Sequence, residues 1–181
     1  MKTLEDQMSF YAAYHQDARN KATHFIGVPM IAFSLMIPMG WWRADIGGIT
    51  ISAALVVTSI LLLYYLILDI PLGLASCVVF ALMLWGADTL SQLPLMASLA
   101  WFLALFVAGW ALQLWGHVYE GRKPALVDNL FQVFVAPIFL AAEVFFALGY
   151  KPALHESVQR RAMQMRADAG VGVSRGDLKS A

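Results

Sequence analysis

Residues 49–68 read ITISAALVVTSILLLYYLIL and run straight into Asp69-Ile70-Pro71. A stretch this long, rich in isoleucine, leucine and valine, matches the roughly 20 apolar residues that a helix needs to cross a bilayer. Proline suits the first turn of a helix, so the Asp69-Ile70-Pro71 step ends one helix and opens another as a tight helical hairpin. Outward from this hairpin, residues 25–42 (FIGVPMIAFSLMIPMGWW), 72–87 and 94–115 have the same character. Pro29 and Pro38 are tolerated in the first of these where neighbouring helices re-satisfy freed backbone groups. Trp41 and Trp42 then mark an interface. A fifth apolar stretch, 130–149, contains Pro137 and Glu143. The expected fold is all-α: a polytopic membrane helical bundle with four spanning helices, an N-terminal interfacial helix and a bent or re-entrant fifth apolar segment.

Composition agrees. Of 181 residues, 60% are apolar and only 13% charged, against about 25% charged in ordinary soluble domains. Twelve basic residues balance twelve acidic ones, so no net field recruits nucleic acid, and no nucleic-acid motif is present. The single cysteine, Cys77, excludes an intrachain disulfide framework and a multi-cysteine metal site, leaving nitrogen and oxygen ligands for any metal. The polar N-terminus, MKTLEDQMSFYAAYHQDARNKATHF, is not a signal peptide. Residues 1–155 are expected to form one membrane-embedded catalytic domain, followed by a charged cytoplasmic tail over 156–181.

Charge bias sets the orientation. Lys2, Arg19, Lys21, Arg122 and Lys123 fall on one side of a four-helix layout and Arg43 alone on the other, which puts the N-terminus in the cytoplasm. Lys151, Arg160, Arg161 and Arg166 also favour the cytoplasm. The 130–149 segment is therefore expected to form a bent, re-entrant or surface-lying hairpin around Pro137, with both termini on one side. The tail from Lys151 reads as a solvated amphipathic helix with His155 on its surface, becoming disordered near GVGVSRGDLKSA. The lack of a retention or targeting signal favours a bacterial inner membrane.

An even number of crossings separates Tyr14, His15, Asn20 and His24 from His117 and Glu120, so the two groups share the cytoplasmic edge. Ionisable residues at membrane depth are costly and point to function. Gln113, His117 and Glu120 lie on one helical face, and Asn20 and His24, at i and i+4, point together. His15 and His24 are nine residues apart, about 180° of rotation on a straight helix. Either the chain turns between them or His15 has a separate role. Neutral imidazoles with a carboxylate suit iron, zinc, copper or nickel; the competing reading is that interfacial His and Glu only hydrogen-bond helix ends and headgroups. Glu143 needs a partner, at the site or within the bundle. Arg122 and Lys123 reflect topology or attract an acidic headgroup or fatty carboxylate.

Residues 14–29, YHQDARNKATHFIGVP, form the pattern Y-H-x4-N-x3-H-x2-G-x-P, and residues 113–126 read QLWGHVYEGRKPAL. In this order the two resemble the membrane 2-hydroxy fatty acid dioxygenases, which include fungal endoplasmic-reticulum enzymes and bacterial homologues. The resemblance covers about residues 8–150. It implies iron(II)-dependent α-oxidation, in which a 2-hydroxy fatty acid reacts with dioxygen and loses one carbon. It also implies metal ligation by His15, His24 and His117, with Asn20, Glu120 and Pro124 on neighbouring motif positions. Glu120 is then a fourth ligand or a partner orienting His117, and Asn20 orients His24 or the substrate.

Two other classes compete with this one. A desaturase or hydroxylase usually needs more clustered histidines than the four present. A small transporter or scaffold is disfavoured because the polar residues lie at one edge and no internal repeat is visible.

Overall fold

The structure, a computed structural model, describes residues 3–121 and 129–177. Thr3 and Asp6 start the first helix, α1 (Leu4–Ala12), with a reciprocal capping box. The chain turns, and Asp17 caps α2 (Ala18–Met39), its carboxylate accepting from the Arg19 amide at 2.8 Å. Pro29 and Pro38 both lie within α2.

The next element differs from expectation. Residues 49–52 were read as part of a spanning helix, but Arg43–Ile46 (β1) and Ile49–Ser52 (β2) pair as an antiparallel hairpin. Gly47 and Gly48 form its turn with φ of 60° and 83°, the left-handed backbone that two-residue hairpin turns require. Ser52 then caps α3 (Ala53–Leu68), accepting from the Leu55 amide. Alternation in Thr50-Ile51-Ser52 is a strand signal that the longer apolar run concealed.

The hairpin at Asp69 forms as expected. Asp69 alone separates α3 from α4 (Ile70–Ser91), and its Oδ1 accepts from the Leu72 amide at 3.1 Å. Helix α5 (Leu95–Glu120) ends on Gly121 in the left-handed conformation. Helices α2, α4 and α5 are long and apolar enough to cross a membrane. At 16 residues, α3 measures about 24 Å, less than a full hydrocarbon core. Ile60, Val78, Leu82, Trp85 and Val107 are exposed while Ser34, Thr58, Ser76 and Ser98 are buried. Such a bundle, apolar outside with small polar residues between its helices, is built for lipid contact.

Helices α2 and α5 pack most intimately, and glycine explains why. A Cβ on Gly27 would stand 2.8 Å from Gln113 Nε2 and 3.0 Å from the Gly109 carbonyl, and one on Gly109 would meet Ile31 and the Gly27 carbonyl. Only bare backbone permits this approach.

Residues 132–147 (α6, Gln132–Ala147) form one helix running through Pro137, so the expected hairpin there is not formed. Proline breaks only the local hydrogen bond, and packing holds the helix on both sides. Tyr65 Oη donates to the Phe134 carbonyl at 2.6 Å, and Lys21 Nζ pairs with Glu143 at 2.8 Å. Tyr65 lies in the last turns of α3 and Lys21 in the first turn of α2, so both parts of α6 lie toward one edge of the bundle. Lys21 is the partner that Glu143 required.

Helix α7 (Pro152–Asp177) continues past residue 170, where disorder was expected. Nor is it merely solvated. Val158 and Ala162 are buried, Arg161 pairs with Glu5 and Asp6, and Ser157 donates to Glu5. His155 is half-buried and stacks on Phe146 at 4.7 Å, a correction to its surface assignment. Buried apolar positions on α7 match α1, and no sequence-local signal reveals such a partner.

Candidate metal centre

The turn between α1 and α2 resolves the geometry of His15. Because His15 belongs to this turn rather than to α2, its ring swings back toward His24. The His15 and His24 Nε2 atoms are 3.1 Å apart. His117, in the last turn of α5, completes the group, with ring centroids 5.0 Å from both. One ligand atom from each of the three lies within 4.8 Å of the others, and all three residues are buried. Among the described residues this is the one cluster of three such side chains.

Backbone carbonyls fix two of the rings. His15 Nδ1 donates to the Tyr11 carbonyl at 2.7 Å, and His24 Nδ1 donates to the Asn20 carbonyl at 2.9 Å. Each carbonyl can only accept, so the proton is on Nδ1 and the Nε2 lone pair faces the cluster, as in metal-ligating histidines. Two such lone pairs have no proton to share across 3.1 Å. A cation between them satisfies both, since two imidazoles each about 2.1 Å from one ion stand at about this separation. Burial, with the neighbouring His24 imidazole second, pushes the His15 pKa well below its ordinary 6.5. That keeps its nitrogen available at neutral pH. Tyr11 stacks on His15 with centroids 4.0 Å apart and rests in turn on Phe139.

Glu120 stands beside the histidines, its carboxylate occupied by protein. Its Oε2 accepts from the Gln16 amide at 2.9 Å, the Asp17 amide at 2.8 Å and Asn20 Nδ2 at 3.2 Å. Its Oε1 pairs with Arg166, which also donates to the Ala13 carbonyl. The carboxylate thus pins the His15 turn to the end of α5 and the middle of α7. Asn20 is fully buried; its amide donates to Tyr14 and Glu120, and its carbonyl holds His24. Pro124, Arg122 and Lys123 lie outside the described residues. Three imidazoles are borderline-soft ligands that would leave positions open for other molecules.

Gly116 accounts for the closeness of α2 and α5 at this point. A Cβ there would collide with Thr23 Oγ1 and stand 2.5 Å from Asn20 Oδ1 and 3.2 Å from His24 Nδ1. The motif glycines at 27 and 116 are therefore spacers that let the His24 and His117 rings meet.

The three imidazoles open into a cavity of about 160 Å³ walled by apolar side chains of α2, α3 and α6. Val28, Ile31, Leu35, Met36 and Met39 line it along α2, and the His24–Met39 stretch is about 22 Å long. Gln113 and Gln132 also line it. Sequence reading placed Gln113 on the His117 face and missed Gln132 and Arg166. Gln132 carries a weak signal, a lone amide entering the apolar FQVFVAP run, whereas Arg166 looks like any tail cation.

A family profile described as "2-hydroxy-palmitic acid dioxygenase Mpo1-like" matches residues 1–148. The chain is also similar to 2-hydroxy-palmitic acid dioxygenase MPO1 of Saccharomyces cerevisiae, with 36% identity over 159 residues. The match covers 86% of this chain and 87% of the yeast protein. No solved structure matches the chain.

Proposed function

The chain belongs to the Mpo1-like 2-hydroxy-palmitic acid dioxygenase family, and from that membership we propose that it is an iron(II)-dependent dioxygenase acting on 2-hydroxy fatty acids. The reaction is α-oxidation: the C1–C2 bond breaks, C2 is oxidised to the new carboxyl group, C1 leaves as a separate one-carbon product and dioxygen takes up the electrons, so the fatty acid formed is one carbon shorter. The observation that carries this reading is three buried imidazoles at one end of an apolar cavity.

His15, His24 and His117 are the residues that would hold iron. Iron bound there would supply Lewis acidity and a redox-active centre for dioxygen chemistry, the electrons that reduce dioxygen coming from the 2-hydroxy acid itself. The protein's part is positioning. Nδ1 donation from His15 and His24 keeps both Nε2 lone pairs directed inward. Glu120 and Asn20 act through the histidines: Glu120 holds the 16–17 backbone and the Asn20 amide, and Asn20 holds His24. The cavity along α2 receives the acyl chain and keeps water from the reacting carbon, while the carboxylate and hydroxyl lie at the imidazole end.

The same reading has four crossings in a bacterial inner membrane, with the site and both termini facing the cytoplasm. Residues 1–155 form the catalytic unit, and the 156–181 tail braces its cytoplasmic face through Arg166. The test is turnover of 2-hydroxyhexadecanoic acid by purified protein with and without iron(II). A one-carbon-shorter acid formed only with iron supports the proposal; unchanged turnover after rigorous chelation rejects it.

A further inference from the structure

The Gln132 side chain is 1% exposed, yet neither its Nε2 nor its Oε1 has a hydrogen-bond partner. Gln113, four residues before His117, is also buried, and its Nε2 is likewise unpartnered. The two amides come from different helices and line the cavity that contains the three imidazoles. Buried polar groups are normally satisfied, and an unsatisfied amide among apolar side chains is disfavoured. Leucine or methionine would fill either position without that cost. Two unpartnered glutamine amides in a chamber whose walls beyond the imidazoles, Tyr11 and Thr58 are apolar therefore call for a polar occupant.

We propose that Gln132 and Gln113 recognise the oxygen-bearing end of the substrate and select a 2-hydroxy acid over a plain fatty acid. The donor and acceptor inventory fits. A 2-hydroxy carboxylate needs N–H donors for its carboxylate oxygens and an acceptor for its hydroxyl proton; Gln113 offers donors, and Gln132 offers both. An uncharged amide also suits a headgroup whose negative charge is drawn toward a cation at the imidazoles. A plain fatty acid lacks the hydroxyl and leaves the Gln132 oxygen unmet, the situation in which a hydrogen-bonding site rejects an analogue strongly. This inference rests on the dioxygenase reading and adds the residues that choose its substrate.

The test compares Gln132→Leu and Gln113→Leu with the parent protein, each iron-loaded in detergent. Equilibrium binding of 2-hydroxyhexadecanoic acid and of hexadecanoic acid is measured, together with turnover of the former, iron content and melting temperature. The expected result for Gln132→Leu is a loss of about tenfold or more in affinity for the hydroxy acid with hexadecanoic acid changed less than about twofold, whereas Gln113→Leu, which removes donors to the carboxylate that both acids carry, weakens both. Iron content is unchanged, and the melting temperature is equal or higher because an unmet polar group has been removed. A Gln132→Leu variant that keeps the parent's preference or weakens both acids alike, or a Gln113→Leu variant that binds both acids as the parent does, overturns the assignment. Should Gln132→Leu fail to fold, Gln132→Asn retracts the amide by one methylene and must still narrow the preference. If the variants match a parent that does turn over the hydroxy acid, only the glutamine assignment falls. A parent that neither prefers nor turns over the hydroxy acid rejects the dioxygenase reading, and the inference falls with it.

Discussion

The side chain of Glu120 is almost fully buried, and it accepts hydrogen bonds from Gln16, Asp17 and Asn20 while pairing with Arg166. Removing one member of a buried ion pair strands the other and costs about 3 kcal/mol or more. Glu120→Ala should therefore lower stability by about that amount and weaken iron binding about 10- to 100-fold, read by chelator competition. Replacing a ligand has a different signature: His24→Ala or His117→Ala should abolish stoichiometric iron with far less loss of stability. His15 adds a pH dependence. Its folded pKa lies well below 6.5, so below about pH 6.5 the unfolded chain binds more protons than the folded one. Metal-free protein should keep its full stability above that pH, and its melting temperature should fall as the pH drops through it. Invariance between pH 7 and pH 5 would contradict the burial of a neutral His15. The histidine identities and the shared edge of His24 and His117 were legible from spacing and from counting crossings. The position of His15 was not, since a helix period gives opposite faces and only the turn after α1 brings the rings together.

At the scale of elements, the centre depends on how closely α2 and α5 approach. Gly116→Ala would drive a methyl group into Thr23 and Asn20. Such overpacking costs about 1–3 kcal/mol, and here it also separates His24 from His117. Iron content should fall to a small fraction of an equivalent while the helical circular dichroism persists; a variant that loads iron normally would show that the two helices have slack. On the dioxygenase reading, the α2 wall of the cavity bounds the acyl chain. Met39 lies about 22 Å from His24 along the helix, at the other end of the α2 wall. Met39→Trp should shift turnover from 2-hydroxyhexadecanoic toward 2-hydroxydodecanoic acid by about tenfold. Helix existence was largely readable from apolar run length, as at Asp69, where a capping carboxylate and Pro71 mark the break. Boundaries were not: Ile49 and Ile51 look the same in a strand and in a spanning helix, and only Gly47-Gly48 marks the turn.

The whole molecule brings distant parts of the chain to one edge. The α1–α2 turn, the end of α5 and the tail helix meet at Glu120 and Arg166, and Lys151 pairs with Asp69 at the α3–α4 junction. Truncation after residue 155 should therefore cost stability and iron affinity, although none of the tail's described residues belongs to the histidine cluster. A reporter fused after Ala181 should read cytoplasmic. Such long-range partners escape sequence reading because Arg166 and Glu120 are each ordinary charges until the fold makes them neighbours. What unites these contacts is one claim, that imidazoles from opposite ends of the chain hold a common ion. The most direct test is anomalous scattering at the iron absorption edge from crystals of iron-loaded protein. A shared site gives a single peak within about 2.3 Å of one nitrogen each from His15, His24 and His117; a peak elsewhere, or none at full iron loading, would contradict it.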